Sequence, residues 1–160
     1  MSITRGAETT RATVVTGVLI GIGLAGTLDE AVMHQVLDWH HFYDPSTRGA
    51  PLDERARTVG LLADGLFHLL STALLALGLL RLSRARRTAG FTRRVWGGIL
   101  AGAGGFNLYD ATVQHKLLRL HQVRRGVTEL LPYDLAFGGI ALALLLAGIW
   151  LLRRAPADQA

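Results

Sequence analysis

Long apolar stretches alternate with short polar links along this chain, and four of the stretches are long enough to cross a membrane as helices. A helix needs about 20 mostly apolar residues to span the hydrocarbon core of a bilayer. The four segments run approximately from Arg11 to His41, Arg57 to Leu82, Arg94 to His121 and Leu130 to Arg153. Helices of a soluble bundle usually carry a polar stripe along their whole length, which these segments lack. The pattern predicts an all-α fold, with residues 1–160 forming a single membrane domain that is a four-helix transmembrane bundle.

The first and third segments share one pattern of ionisable residues. After a Gly-rich apolar run, each has Asp, four residues, His, five residues and His: these are Asp29, His34 and His40 in the first segment and Asp110, His115 and His121 in the third. The second and fourth segments match over residues 64–67 and 134–137, which begin with Asp64 and Asp134. A purely structural repeat would more often preserve small or apolar residues. The repeat therefore predicts two helical hairpins, related by an axis along the membrane normal, that enclose one site.

The basic residues predict the orientation in the membrane. The link between the second and third segments carries no acid and has six arginines: Arg81, Arg84, Arg86, Arg87, Arg93 and Arg94. Because cytoplasmic loops are enriched in Lys and Arg, this link and both termini of this multi-pass protein are predicted to be cytoplasmic. Arg5 and Arg11 before an apolar run would also fit a signal peptide. The third segment opens in the same way, however, where no signal peptide is possible.

With this orientation, the ionisable residues collect in the outer half of the bundle. Such residues within a membrane indicate a functional site by default. Asp64 and His68 are four residues apart on one helix, a spacing at which two side chains can hold one ion. Asp29 and Asp110 are expected to approach each other across the bundle, with a proton or a cation between them. The candidate metal ligands are Asp29, Glu30, His34, His40, His41, Asp64, His68, Asp110, His115, His121 and Asp134.

Composition narrows the chemistry of this site. The chain has no cysteine and only two methionines, which removes thiolate ligands and disfavours Cu(I). Histidine and carboxylate ligands suit Zn²⁺, Fe, Mn or Cu²⁺. The net charge of +5 comes from arginines at the ends of the segments, so no basic face is available to bind nucleic acid.

Several motifs place the chain beside a known family. They are residues 26–29 (Gly-Thr-Leu-Asp), 34–37 (His-Gln-Val-Leu), 39–41 (Trp-His-His), 64–68 (Asp-Gly-Leu-Phe-His), 96–98 (Trp-Gly-Gly), 106–108 (Phe-Asn-Leu), 121–124 (His-Gln-Val-Arg) and 134–137 (Asp-Leu-Ala-Phe). With them the chain resembles an uncharacterised family of small bacterial integral membrane proteins, a domain of unknown function. That family usually has Gly where this chain has Glu30, and further acid and His where this chain has Gln114, Lys116 and Gln122. The resemblance implies a multi-pass protein of the bacterial inner membrane and supplies no activity. The departures from the family indicate a weaker ligand set in the second half of the chain.

Four functions remain compatible with this pattern. The first is a His/carboxylate metal site for metal binding or transfer at the outer face. The second is a membrane oxidoreductase with a di-metal centre or a haem held by two histidines. The third is a proton- or ion-coupled carrier that uses the Asp/His pairs as a relay. The fourth is a structural subunit of a homodimer or a larger complex in the lipid bilayer.

Overall fold

A computed structural model describes residues 2–156, with the side chains of residues 2–8 excepted, and in this part of the chain every regular element is helical. The four α-helices are α1 (Ser2–Asp29), α2 (Glu54–Ser83), α3 (Phe91–Tyr109) and α4 (Leu131–Arg153). The all-α prediction is confirmed for these residues. The first helix begins at Ser2, earlier than the predicted start of the first segment at Arg11.

The first and third helices both end in a π-helical segment. Glu30–Val36 follows α1 and Asp110–Leu117 follows α3. In these segments a backbone N–H bonds the carbonyl five residues back, as Leu37 N does with Val32 O at 2.8 Å and Leu118 N with Val113 O at 2.7 Å.

Shortly after each π segment the chain adopts a left-handed backbone, at Asp38 (φ 50°) and Arg119 (φ 51°). This conformation cannot continue a right-handed helix. The helical segments therefore end before His41 and His121, where the sequence pattern had placed their ends.

Helices α1 and α3 form the centre of the bundle. Helix α2 packs on α1 and α4 packs on α3. A Cβ atom on Gly17 would lie 3.0 Å from the Cα of Gly98 and 2.4 Å from the carbonyl oxygen of Val95. The two helix backbones can approach this closely because these positions carry no side chain.

Three helices are long and apolar enough to cross a membrane by length and composition, namely Thr9–Val36, Glu54–Ser83 and Leu131–Arg153. Helix α3 does not reach this standard among the described residues. It has 19 residues, two of its first four are Arg93 and Arg94, and its π-helical continuation begins with Asp110. The prediction of four membrane spans is thus supported for three.

Apolar side chains face outward and polar side chains face inward, as in a protein surrounded by lipid. Large apolar side chains face outward on the flanking helices, including Leu62, Leu66 and Leu69 on α2. The largest fully buried side chains are polar: His40, His115, His121, Asp44 and Asp64. The interior of this bundle therefore holds ionisable side chains.

Candidate metal centre

Four buried histidines touch one another beyond the ends of α1 and α3, on the π segments and the loops that follow them. The rings of His40 and His121 are stacked, with centroids 4.6 Å apart and planes inclined by 14°. His34 packs edge-on against His40, and His115 against His121, each with centroids 4.5 Å apart. Each of the four residues is no more than 3% exposed. The histidines of the two sequence copies thus meet in one place.

Two crossing loops hold the stacked pair in position. Asp44 N donates to Leu120 O at 2.8 Å, and Arg125 N donates to Trp39 O at 2.7 Å, so each loop is hydrogen-bonded to the other. These bonds connect the segment after α1 with the segment after α3.

Each stacked histidine also donates its Nδ1–H to a backbone carbonyl of the opposite loop. The acceptors are Val123 O for His40 and Phe42 O for His121, both at 2.9 Å. A proton fixed on Nδ1 leaves the lone pair on Nε2, which is the arrangement of a metal-binding imidazole. Burial, then repulsion from His121 and His34, lowers the pKa of His40 well below its ordinary value, which favours the neutral ring that binds metal.

Carboxylates lie beside the Nε2 atoms. Asp29 Oδ2 is 3.4 Å from His34 Nε2, and Asp110 Oδ2 is 3.0 Å from His115 Nε2. Asp110 Oδ1 is 3.5 Å from His121 Nε2. The Nε2 atoms of His34 and His115 are buried and form no hydrogen bond. Two ligands held at about 2.0–2.2 Å from a shared ion lie roughly 3.0–3.5 Å apart, so these separations would suit atoms around one metal as well as a direct ion pair.

The π-helical segments explain how residues five apart come to share a face. On an α-helix His34 lies about 140° from Asp29, and His115 lies equally far from Asp110. In a π-helical segment the hydrogen bonds join residues five apart, so such residues lie nearly one above the other. Glu30 and Gln35, also five apart, are joined by a hydrogen bond from Gln35 Nε2 to Glu30 Oε1 at 2.8 Å.

Candidate ligand atoms gather in three groups. Within each group, one nitrogen or oxygen from every member lies within 4.8 Å of the others. The groups are Asp29, His34 and His40; Asp110, His115 and His121; and Glu30, His34 and Asp64. We call the first two the first trio and the second trio.

Asp64 ties α2 to the first trio. Its Oδ1 lies 3.0 Å from His34 Nδ1 and accepts a hydrogen bond from Phe42 N at 2.7 Å. Its Oδ2 lies 2.7 Å from His41 Nδ1. Glu30 Oε2 is 2.8 Å from His34 Nδ1 as well. Carboxylates that bind the second ring nitrogen of a metal-binding histidine orient that ring and raise its basicity.

The second half lacks this carboxylate support. Asp134, which corresponds to Asp64, accepts a bond from Lys116 Nζ at 2.6 Å and belongs to none of the three groups. Lys116 Nζ also donates to Gln122 Oε1 at 2.9 Å. His115 Nδ1 is buried without a hydrogen bond. The sequence pattern identified Lys116 and Gln122 as departures from the family, but their role in binding Asp134 was not predicted.

The structure does not bring His68 to the cluster. Its side chain is exposed on α2, whereas that of Asp64 is buried. Four residues turn an α-helix by about 40° beyond one full turn, which is enough to move the side chain off the buried face. The side chains that contact Asp64 are those of His34 and His41, and the predicted pairing of Asp64 with His68 is not seen in this arrangement.

His41 lies between the cluster and the surface. Its side chain is 17% exposed and lines a pocket of about 340 Å³ together with Asp38, Arg57 and Arg125. Because His41 contacts Asp64, this pocket lies two side chains away from His34.

The two carboxylates that were expected to approach each other each contact a histidine instead. Asp29 and Asp110 each lie beside a histidine of their own trio, and the stacked pair His40 and His121 joins the trios. The rings of His40 and His121 are stacked in direct contact, so a porphyrin does not fit between these two histidines.

Sequence reasoning missed the backbone groups that orient the rings. The carbonyls of Phe42 and Val123 accept from His121 and His40. Backbone acceptors leave no trace in side-chain patterns. The one available signal is that each lies two residues after a histidine of the repeat.

Comparison with known proteins adds the family. A family model described as "Predicted membrane protein (DUF2243)" matches residues 16–155, which is most of the chain. No curated protein and no solved structure shows significant similarity to the chain. The motifs, the outward-facing apolar surface and this match agree, and the chain belongs to the DUF2243 family of predicted membrane proteins.

Proposed function

We propose that this protein is an integral membrane metalloprotein that binds first-row transition metal ions, for storage or transfer, at a His/carboxylate centre. The observation that carries the proposal is the convergence of four buried histidines with Asp29 and Asp110. Two of these histidines have their Nδ1 atoms bound to carbonyls, so that Nε2 is free to bind an ion. In the absence of sulfur ligands, Zn²⁺, Fe, Mn and Cu²⁺ are the suitable ions.

The centre is proposed to lie between two repeated hairpins. Several features that occur in both halves support this: the π segments, the left-handed residues Asp38 and Arg119, and the reciprocal loop bonds. Helix packing supports it as well. A Cβ atom on Gly23 would meet Ser71 O and Leu75 N of α2, and one on Gly104 would meet Ala141 O and Leu145 N of α4.

The centre is further proposed to lie in the outer half of a bacterial inner-membrane protein with cytoplasmic termini. This orientation requires α3 and its π segment to cross the bilayer as the fourth span. Helix α3 has 19 residues and its π segment has 8. Their combined length is about 40 Å, which exceeds a hydrocarbon core of about 30 Å. Because α3 lies between α1 and α4, much of its surface faces protein, and this relaxes the demand for apolar residues.

Topology can be tested with reporter fusions. A reporter inserted at Arg86, in the arginine-rich link, is expected to be cytoplasmic, and one inserted at Gly49 is expected to be external. Alkaline phosphatase activity marks an external fusion site, and green fluorescent protein fluorescence marks a cytoplasmic one. The reverse pattern would place the histidine cluster at the cytoplasmic face.

Metal binding can be tested by elemental analysis of the protein purified in mild detergent. The wild-type protein is expected to carry at least one first-row metal ion per chain. The double variant His40→Ala/His121→Ala is expected to retain less than about a tenth of this metal, because it loses a ligand from both trios. The matched control is His68→Ala, which removes an exposed histidine and should leave the metal content unchanged. Metal-free wild-type protein, or equal metal in the double variant, would contradict the proposal.

A further inference from the structure

The candidate ligands divide by sequence half. No group of converging ligand atoms in the described residues combines histidines from both halves. We infer that the centre holds two metal ions, one in each trio, and that the ion of the first trio is bound more tightly. This inference rests on the proposed metal-binding function and specifies the occupancy of that same centre.

Each trio is a complete ligand set for one ion. Two histidines and one carboxylate are a common ligand set for iron and zinc, and they leave coordination positions for water or another small ligand. The second trio shows this most clearly, because one oxygen of Asp110 lies 3.0 Å from His115 Nε2 and the other lies 3.5 Å from His121 Nε2. The stacked rings of His40 and His121 make the two sets immediate neighbours.

The charges of the cluster are compatible with two ions. Four carboxylates surround the four histidines, namely Asp29, Glu30, Asp64 and Asp110. In the part of the chain that the structure describes, all their ion-pair contacts are with histidines, while Lys116 pairs with Asp134. Four negative charges in a low-dielectric interior are costly without compensation. Two divalent cations bound by neutral histidines would balance them.

The two trios differ in their surroundings. Around the first trio, His34 Nδ1 is in contact with both Asp64 and Glu30. Around the second trio, His115 Nδ1 has no hydrogen-bond partner, and Asp134 is held by Lys116. Residues that contact the second nitrogen of a ligand histidine typically change metal affinity by about 10- to 100-fold. The first trio is therefore the tighter site, and the second trio holds the more exchangeable ion.

A titration of the full chain with Co²⁺ tests this inference. Metal-free protein in detergent, prepared with a chelator, is titrated while bound Co²⁺ is measured by its visible absorption and by elemental analysis. The wild-type protein should bind two equivalents in two steps whose affinities differ by about tenfold or more. His40→Ala should remove the tighter step and His121→Ala the weaker one, with one equivalent left in each. Glu30→Gln, which keeps all six ligands, should weaken only the tighter step, by about tenfold.

The outcomes separate the inference from the function on which it rests. One equivalent in wild-type protein, lost in both single-histidine variants, would show a single shared ion and overturn the inference while preserving the proposed function. No bound Co²⁺ in folded wild-type protein would overturn both. Two equal steps, both unaffected by Glu30→Gln, would overturn the proposed order of affinity. Because the wild-type stoichiometry decides between one ion and two, a histidine variant that fails to fold does not remove the test.

Discussion

Replacing Asp64 by alanine is expected to lower the free energy of unfolding by about 3 kcal/mol or more. The carboxylate is 1% exposed and is in hydrogen-bond contact with three groups, Phe42 N, His34 Nδ1 and His41 Nδ1. Removing one partner of a buried charged network typically costs about 3–5 kcal/mol, because the remaining polar groups are left buried without partners. The change should also release the loop that carries His40. Unfolding by SDS in mixed micelles, followed by tryptophan fluorescence, measures the loss.

Asp134→Ala is the matched control for this substitution. It removes the corresponding acid from α4, where Lys116 is 44% exposed and Asp134 is 22% exposed. Partly exposed ion pairs contribute about 0–1 kcal/mol, so only a small loss of stability is expected. If both alanine variants lost the same stability, Asp64 would not be the anchor that the contacts indicate.

Replacing Gly21 by alanine adds only one carbon atom, yet it is expected to destabilise the bundle by about 2–3 kcal/mol. The new Cβ would lie 2.1 Å from Ile99 O and 2.8 Å from Ala103 N. Both atoms belong to the α3 backbone, so the helices must separate to admit the methyl group. Overpacking a close contact typically costs about 1–3 kcal/mol. The same unfolding measurement in micelles applies.

Gly105→Ala is the control for the helix-packing prediction. Gly105 lies on α3, and no atom lies within 4 Å of the position its Cβ would take. Alanine favours a helix over glycine by about 1 kcal/mol, so this variant should be neutral or slightly more stable. A loss at Gly105 equal to that at Gly21 would mean that the glycines act through backbone flexibility rather than through helix contact.

Much of the fold was readable from the order of apolar and polar residues. Helical segments could be predicted because every backbone polar group in a membrane must bond within its own segment. Glycines such as Gly17 and Gly98, which let α1 and α3 approach closely, are visible in the sequence, although their contact is seen only in the structure. The ends of the helices were predicted less well. The π segments and the left-handed residues Asp38 and Arg119 depend on the loops that pack against them, and neither residue type demands this conformation.

The candidate site divides in the same way. The repeat of Asp, His and His identified the ionisable residues that lie near one another along the chain. Residues four apart on an α-helix, or five apart on a π-helical segment, are close in space because they are close in sequence. Only the tertiary structure decided the partners that are distant in the chain. Asp64 binds His34 and His41 while His68 faces outward, and this difference follows from the rotation of α2 against α1. The stacking of His40 on His121 likewise requires two loops that are 81 residues apart to cross and exchange backbone hydrogen bonds, a contact that no local pattern encodes.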